Sequence, residues 1–198
     1  MSLPIRSDKT HSASEARKRT SRLIYELCLF PMLGALMLVS KIALEWAPNI
    51  HMLGMFTMVF TVVYRSKALI PIYLYAAAIF LIYGFAPWCV IHFYVWTVLW
   101  AITMLIPRRL PKRVLAVLYP TVCALHGLSY GFLCAFTQVP LYYDSFAPEM
   151  IFAYVSSGLY FDLLHGIGNI GFGLLILPLS SLLLKLDKRF GRRRRTDT

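Results

Sequence analysis

The chain has 198 residues, of which 59% are hydrophobic and 15% charged, with a mean hydropathy of +0.64. Soluble domains carry about a quarter charged residues and lack the charge-free runs that stand back to back here between residues 22 and 185, so the composition excludes a soluble enzyme or binding module. The net charge of +11 does not point to nucleic acid either, because the basic residues gather at the ends of apolar segments instead of mixing with aromatics on a polar face. The expected class is an all-α integral membrane protein, a six-transmembrane-helix bundle in the lipid bilayer.

Residues 1–21 are polar, rich in Ser, Arg and Lys, and have no apolar core; they read as a flexible basic cytoplasmic tail, not a cleavable signal. Apolar segments follow at 22–46, 50–65, 68–86, 89–106, 114–137 and 159–185. Most have the ~17–25 residues that cross a bilayer core, and the second is the shortest. Ala47-Pro48-Asn49, Arg65-Ser66-Lys67, Gly84 to Pro87 and Pro107 to Pro111 separate them with proline and glycine, which end or redirect helices. The transmembrane domain thus spans 22–186, and residues 187–198 form a second basic cytoplasmic tail.

Six Lys or Arg lie in the N-terminal stretch up to and including Arg22, two at 65–67, four at 108–113 and seven from Lys185 onward, whereas the loops near 47–49, 85–88 and 138–158 contain none. With six crossings the basic regions share one side, so both termini are expected in the cytoplasm, with the chain multi-pass in the cell membrane. The longest external loop is 138–158. Its stretch Pro148–Ser157 reads as a short amphipathic helix at the interface, ended by Gly158. Tyr142, Tyr143, Trp46, Trp88 and Trp96 sit near the same boundary, as an interfacial belt or as cavity lining.

Polar groups inside the spans cost about 2.5–3.5 kcal/mol each when charged, so they are expected to face the protein interior. Asp162, His165 and Asn169 recur at i, i+3 and i+7 and share one face of the last helix, among glycines 166, 168, 171 and 173. Such a stripe either lines a cavity or only holds neighbouring helices. Lys41 and Glu45, four apart on the first helix, pair with each other or with separate partners; Asn49 and His51 follow at similar depth. His126, beside the small-residue ridge Gly127, Gly131, Ala135, reads as an interhelical hydrogen-bonder, and His92 as interfacial.

Cys28, Cys89, Cys123 and Cys134 lack metal-type spacing, and no cofactor is expected. The chain has no G-x-S-x-G, H-E-x-x-H or Walker sequence. An intramembrane enzyme would have to use Asp162 with His165, and a scaffold without ligand is the other alternative.

The runs Ala35-Leu36-Met37 through Ser40-Lys41, Pro48 through Gly54, Thr61 through Arg65 and Ala68 through Pro71 resemble the substrate-binding S components of energy-coupling factor (ECF) transporters. Trp96 through Trp100, Cys123 through Gly127 and Phe161-Asp162 to Gly168-Asn169 continue the resemblance in order, over residues 25 to 185. It implies a non-enzymatic importer subunit that binds a vitamin-like small molecule from outside and delivers it with a transmembrane coupling subunit and two cytoplasmic ATPases. The substrate-binding candidates are Asp162, His165, Asn169, Asn49, His51, Lys41 and Glu45. In that family small residues spaced Ala-xxx-Ala on the first helix contact the coupling subunit; here Ala35 is followed four later by Val39, leaving Gly34, Ala35 and Ser40 as the small surfaces. Members that import nickel or cobalt use an extreme N-terminal histidine motif, and MSLPIR lacks it, so a metal substrate is not expected.

Overall fold

Apolar segments that bury no backbone group in water must pair every N–H and C=O internally, and the chain does so with helices throughout. The computed structural model describes the backbone of residues 6–144 and 146–196 and the side chains of 14–144 and 146–189. The elements are α1 (Arg6–Ala43), α2 (Leu53–Tyr64), a 3-10 turn (Arg65–Ala68), α3 (Leu69–Tyr83), α4 (Pro87–Leu105), α5 (Lys112–Leu128), α6 (Tyr130–Tyr143), α7 (Pro148–Gly173) and α8 (Ile176–Thr196). Pro87 and Pro148 occupy first-turn positions, where a missing N–H costs nothing. Basic residues expected in tails instead extend α1 and α8; residues 1–5, 197 and 198 lie outside the described residues.

Among the described residues, five stretches are long and apolar enough to cross a membrane: Ser14–Ala43, Leu53–Tyr83, Pro87–Leu105, Lys112–Tyr143 and Pro148–Gly173. The second of them is not a single rod. Arg65 takes φ 56° and ψ −123°, its Nη2 donates to Met104 O at 2.9 Å, and its own carbonyl accepts from Trp100 Nε1 at 3.1 Å. His51, before α2, faces Trp96 earlier in α4, so α2 runs in the direction of α4. Tyr75 and Tyr83 meet His92 and Trp88 in reverse order, so α3 runs against it. With 12 residues α2 reaches about 18 Å, short of the ~30 Å hydrocarbon core.

The most extensive helix contact joins α5 and α7, antiparallel along a glycine seam. A Cβ at Gly127 would stand 2.7 Å from Asn169 Nδ2 and 3.0 Å from His165 O; one at Gly173 would stand 2.7 Å from Pro120 Cα. Only hydrogen at these positions lets the backbones come so close. α1 lies parallel to α3, tied by the Glu26–Lys67 ion pair at one end and by Tyr83 OH donating to Glu45 at 3.0 Å at the other.

Large apolar side chains such as Leu27, Met32, Leu81 and Phe152 point outward, while Met37, Leu53, Ile72, Tyr75, Trp96 and Leu99 form the core together with buried polar groups. That arrangement suits a lipid exterior. Arg65, Lys67 and Arg108 gather at one end of the bundle, where Arg108 Nη2 donates to Val62 O at 3.2 Å and Tyr25 OH donates to Asp187 Oδ1 at 3.1 Å. Lys41, Trp88 and Tyr142 gather at the opposite end.

Two expectations for the outer loops fail. Residues 138–158 are mostly helical: α6 continues to Tyr143, where Asp144 ends it in the left-handed conformation, and α7 begins at Pro148. Pro148–Ser157 is therefore the first part of α7, not a separate interfacial helix. Gly158 does not stop it, since a mid-helix glycine costs only about 1 kcal/mol and the helix continues to Gly173, packed against α5 and α6.

Candidate functional site

At the Lys41 end the bundle opens into a cavity of about 630 Å³. Its walls come from the segment after α1, the first turns of α4, all of α6 and the first half of α7. The segment after α1 folds back through two tight turns, Ala47 N to Leu44 O at 3.0 Å and Ile50 N to Ala47 O at 3.2 Å. Asn49 supplies the left-handed residue that this reversal needs, at φ 56°, a conformation its short polar side chain tolerates. The result turns His51 inward to the floor of the cavity.

α4 contributes Trp88, His92 and Trp96, spaced i, i+4 and i+8 on one face. His92 Nδ1 accepts from Trp96 Nε1 at 3.1 Å, because an indole only donates, and stands 3.3 Å from Tyr75 OH. His92 is thus buried and bonded and lines the cavity, which corrects its interfacial assignment. Trp96 is likewise fully buried in the core and no part of a boundary belt, whereas Trp46, Tyr142 and Tyr143 are exposed. No local signal marks this, because a histidine near a segment end looks the same whether the bundle or the headgroups surround it.

α6 begins where the rod of α5 breaks at Ser129, and the break leaves Gly131 N–H without an intrahelical acceptor. Asp162 Oδ1 fills that role at 2.9 Å, placing a carboxylate at a helix N-terminus, where the backbone dipole favours it. Glycine at position 131 leaves room for that carboxylate, since a Cβ there would push Asp162 Oδ2 aside.

Asp162, His165 and Asn169 do share one buried face of α7, 3%, 0% and 1% exposed, but they serve different ends. Asp162 lines the cavity. His165 lies behind the lining, edge to face with His51 at 4.5 Å between centroids and with Tyr130 at 4.7 Å. Neither of its ring nitrogens has a hydrogen-bond partner among the described residues. Asn169 lies further along α7, where its Nδ2 donates to Cys123 O at 2.9 Å and it packs beside Gly54 and Gly127; it fastens α7 to α5 and does not line the cavity.

Of the remaining candidates, Lys41, Asn49 and His51 line the cavity. Glu45 does not; it is exposed and accepts the Tyr83 hydroxyl, so Lys41 and Glu45 do not pair. Sequence reading missed Gln138, whose amide is buried, lines the cavity and has no partner for its Nε2. Its spacing of seven from Gly131 on the small-residue face was the available signal. His126 bridges helices by its contact with Val95 O at 3.1 Å. Among the small residues of α1, Gly34 is buried against Pro71 O and Leu74 of α3, so its surface is already taken, and Ser40 Oγ donates to Met37 O at 2.7 Å. Ala35 alone of the three is exposed.

Among the described residues no group of three His, Cys, Asp or Glu side chains is disposed to hold a metal ion. The cavity instead presents aromatic walls with a few convergent polar groups, the usual make-up of a small-molecule site. No protein-family model matches the chain, and no curated protein or solved structure matches it either.

Proposed function

We propose that this chain is the substrate-capture subunit of an importer of the ECF type, binding a vitamin-like small molecule in the cavity and passing it to a transmembrane coupling subunit with two ATPases. The observation that carries the reading is the 630 Å³ cavity at one end of a lipid-facing bundle, with Trp88, Tyr130 and Phe161 beside Asn49, His51 and Asp162. Drug-sized ligands occupy cavities of about 300–1,000 Å³ with this mix of surfaces.

Counting α1, α2, α3, α4, α5 with α6, and α7 with α8 gives six crossings in a bacterial plasma membrane. This topology puts the basic end of the bundle in the cytoplasm and the cavity outside. A short α2 beneath the cavity agrees with a bundle hollowed on that side. Exposed Ala35 is the small residue of α1 left to meet a coupling subunit.

The enzyme alternative draws less support. Asp162 is engaged by Gly131 N–H, and no hydrogen bond joins it to His165, although an acid–base pair must act within hydrogen-bond reach.

Affinity purification of the tagged full chain from its native membrane tests the reading. It predicts co-isolation of nucleotide-binding subunits and one further membrane protein, and a bound compound that the isolated chain returns unchanged. A chain that purifies alone under mild extraction, or that converts the compound, speaks for the scaffold or the enzyme.

A further inference from the structure

The capture reading leaves the ligand's chemistry open, and the unpartnered atoms around the cavity narrow it. Lys41 and Asp162 both line the cavity, and neither belongs to an ion pair among the described residues. Glu45, the nearest acid in sequence to Lys41, is held by Tyr83. Asp162 is 3% exposed, and its one hydrogen bond among the described residues comes from a neutral backbone N–H to Oδ1. A buried carboxylate without a cation is costly, and so is a half-buried ammonium without an anion.

The neutral groups add direction. Gln138 is 3% exposed with Nε2 unpartnered, a donor awaiting an acceptor. His51 is 7% exposed with Nδ1 unpartnered. The same lining includes the rings of Trp88, Tyr130 and Phe161, which favour a flat aromatic ligand.

We propose that the cavity selects an amphoteric aromatic molecule, with a cationic or N–H-rich nitrogen group directed to Asp162, an acidic group directed to Lys41, and a ring acceptor for the Gln138 amide. This inference rests on the capture reading. A ligand of this kind satisfies both charges at once. A singly charged ligand leaves one of them unmatched, and a neutral one leaves both.

Three matched probes test it on the full chain in lipid nanodiscs by calorimetric titration: para-(aminomethyl)benzoate, benzylamine and benzoate. The zwitterion is expected to bind at least about tenfold more tightly than either singly charged relative. Asp162→Asn removes its advantage over benzoate and Lys41→Met its advantage over benzylamine, each leaving the other intact. Asparagine keeps the oxygen that accepts from Gly131, so Asp162→Asn preserves the fold. Equal binding of the three probes, binding of none, or a preference that survives both substitutions overturns the proposal. Native mass spectrometry of the same preparation separates the two levels. A retained neutral compound overturns this proposal and keeps the capture reading; a chain that retains and takes up no small molecule overturns both.

Discussion

The imidazole of His51 meets that of His165 edge to face, with ring centroids 4.5 Å apart and Tyr130 on another side of His165 at 4.7 Å. His51 and Tyr130 line the cavity and His165 stands behind them, so the proposed ligand would feel it only through the rings it supports. An apolar side chain of similar size removes two buried, unpartnered nitrogens, a change that is neutral or stabilising for the fold. His165→Leu is expected to keep or raise the midpoint of thermal unfolding while ligand affinity drops roughly tenfold, about 1.4 kcal/mol. Unfolding scans and binding titrations on the same preparation read the two effects separately.

Asn169 and Asp162 share a helix face but are expected to behave oppositely. Asn169→Ala removes the donor to Cys123 O and should cost about 1–3 kcal/mol of stability, while the folded fraction binds ligand with unchanged affinity. Asp162→Asn should leave stability nearly intact and weaken binding. Chemical-denaturant curves and titrations of both variants decide the point.

The seam between α5 and α7 predicts a steep dependence on glycine position. In Gly127→Ala the new methyl meets Asn169 Nδ2 at 2.7 Å and the backbone oxygen of His165 at 3.0 Å, and backbone cannot step aside; a loss of about 1–3 kcal/mol is expected. Gly171 faces open space, and Gly171→Ala is expected to be neutral or to stabilise by up to about 1 kcal/mol through helix propensity. Thermal unfolding in one detergent compares the pair.

The proposed six-crossing topology is open to cysteine labelling. On a Cys28→Ser background, Trp46→Cys should react with a membrane-impermeant maleimide in intact cells, because Trp46 is 81% exposed at the cavity end. Arg109→Cys, in the turn between α4 and α5, should react only after the membrane is opened. Labelling of both from one side would contradict the orientation.

The all-helical, membrane-spanning character of the chain was legible from apolar run length, because the bilayer imposes that pattern on the sequence directly. The shared face of Asp162, His165 and Asn169 was legible from helical spacing. What each residue does on that face was not. Spacing fixes direction, whereas the split between cavity, supporting ring and helix tie depends on how far along α7 the glycine seam brings α5 close. The continuation of α7 through Gly158 was hidden for a related reason: glycine is a weak helix breaker once packing continues on either side. The role of His92 required the packing of α4 against α3 and α6, which a single sequence does not encode in any local signal, and that of Gln138 was hinted at only by its spacing of seven from Gly131.

Native mass spectrometry of the purified full chain, released gently from nanodiscs, tests the central claim most directly. The account predicts one non-lipid small molecule per chain, with occupancy sharply reduced in Asp162→Asn. A chain carrying only lipid or detergent, or a bound compound held equally well by Asp162→Asn, would contradict it.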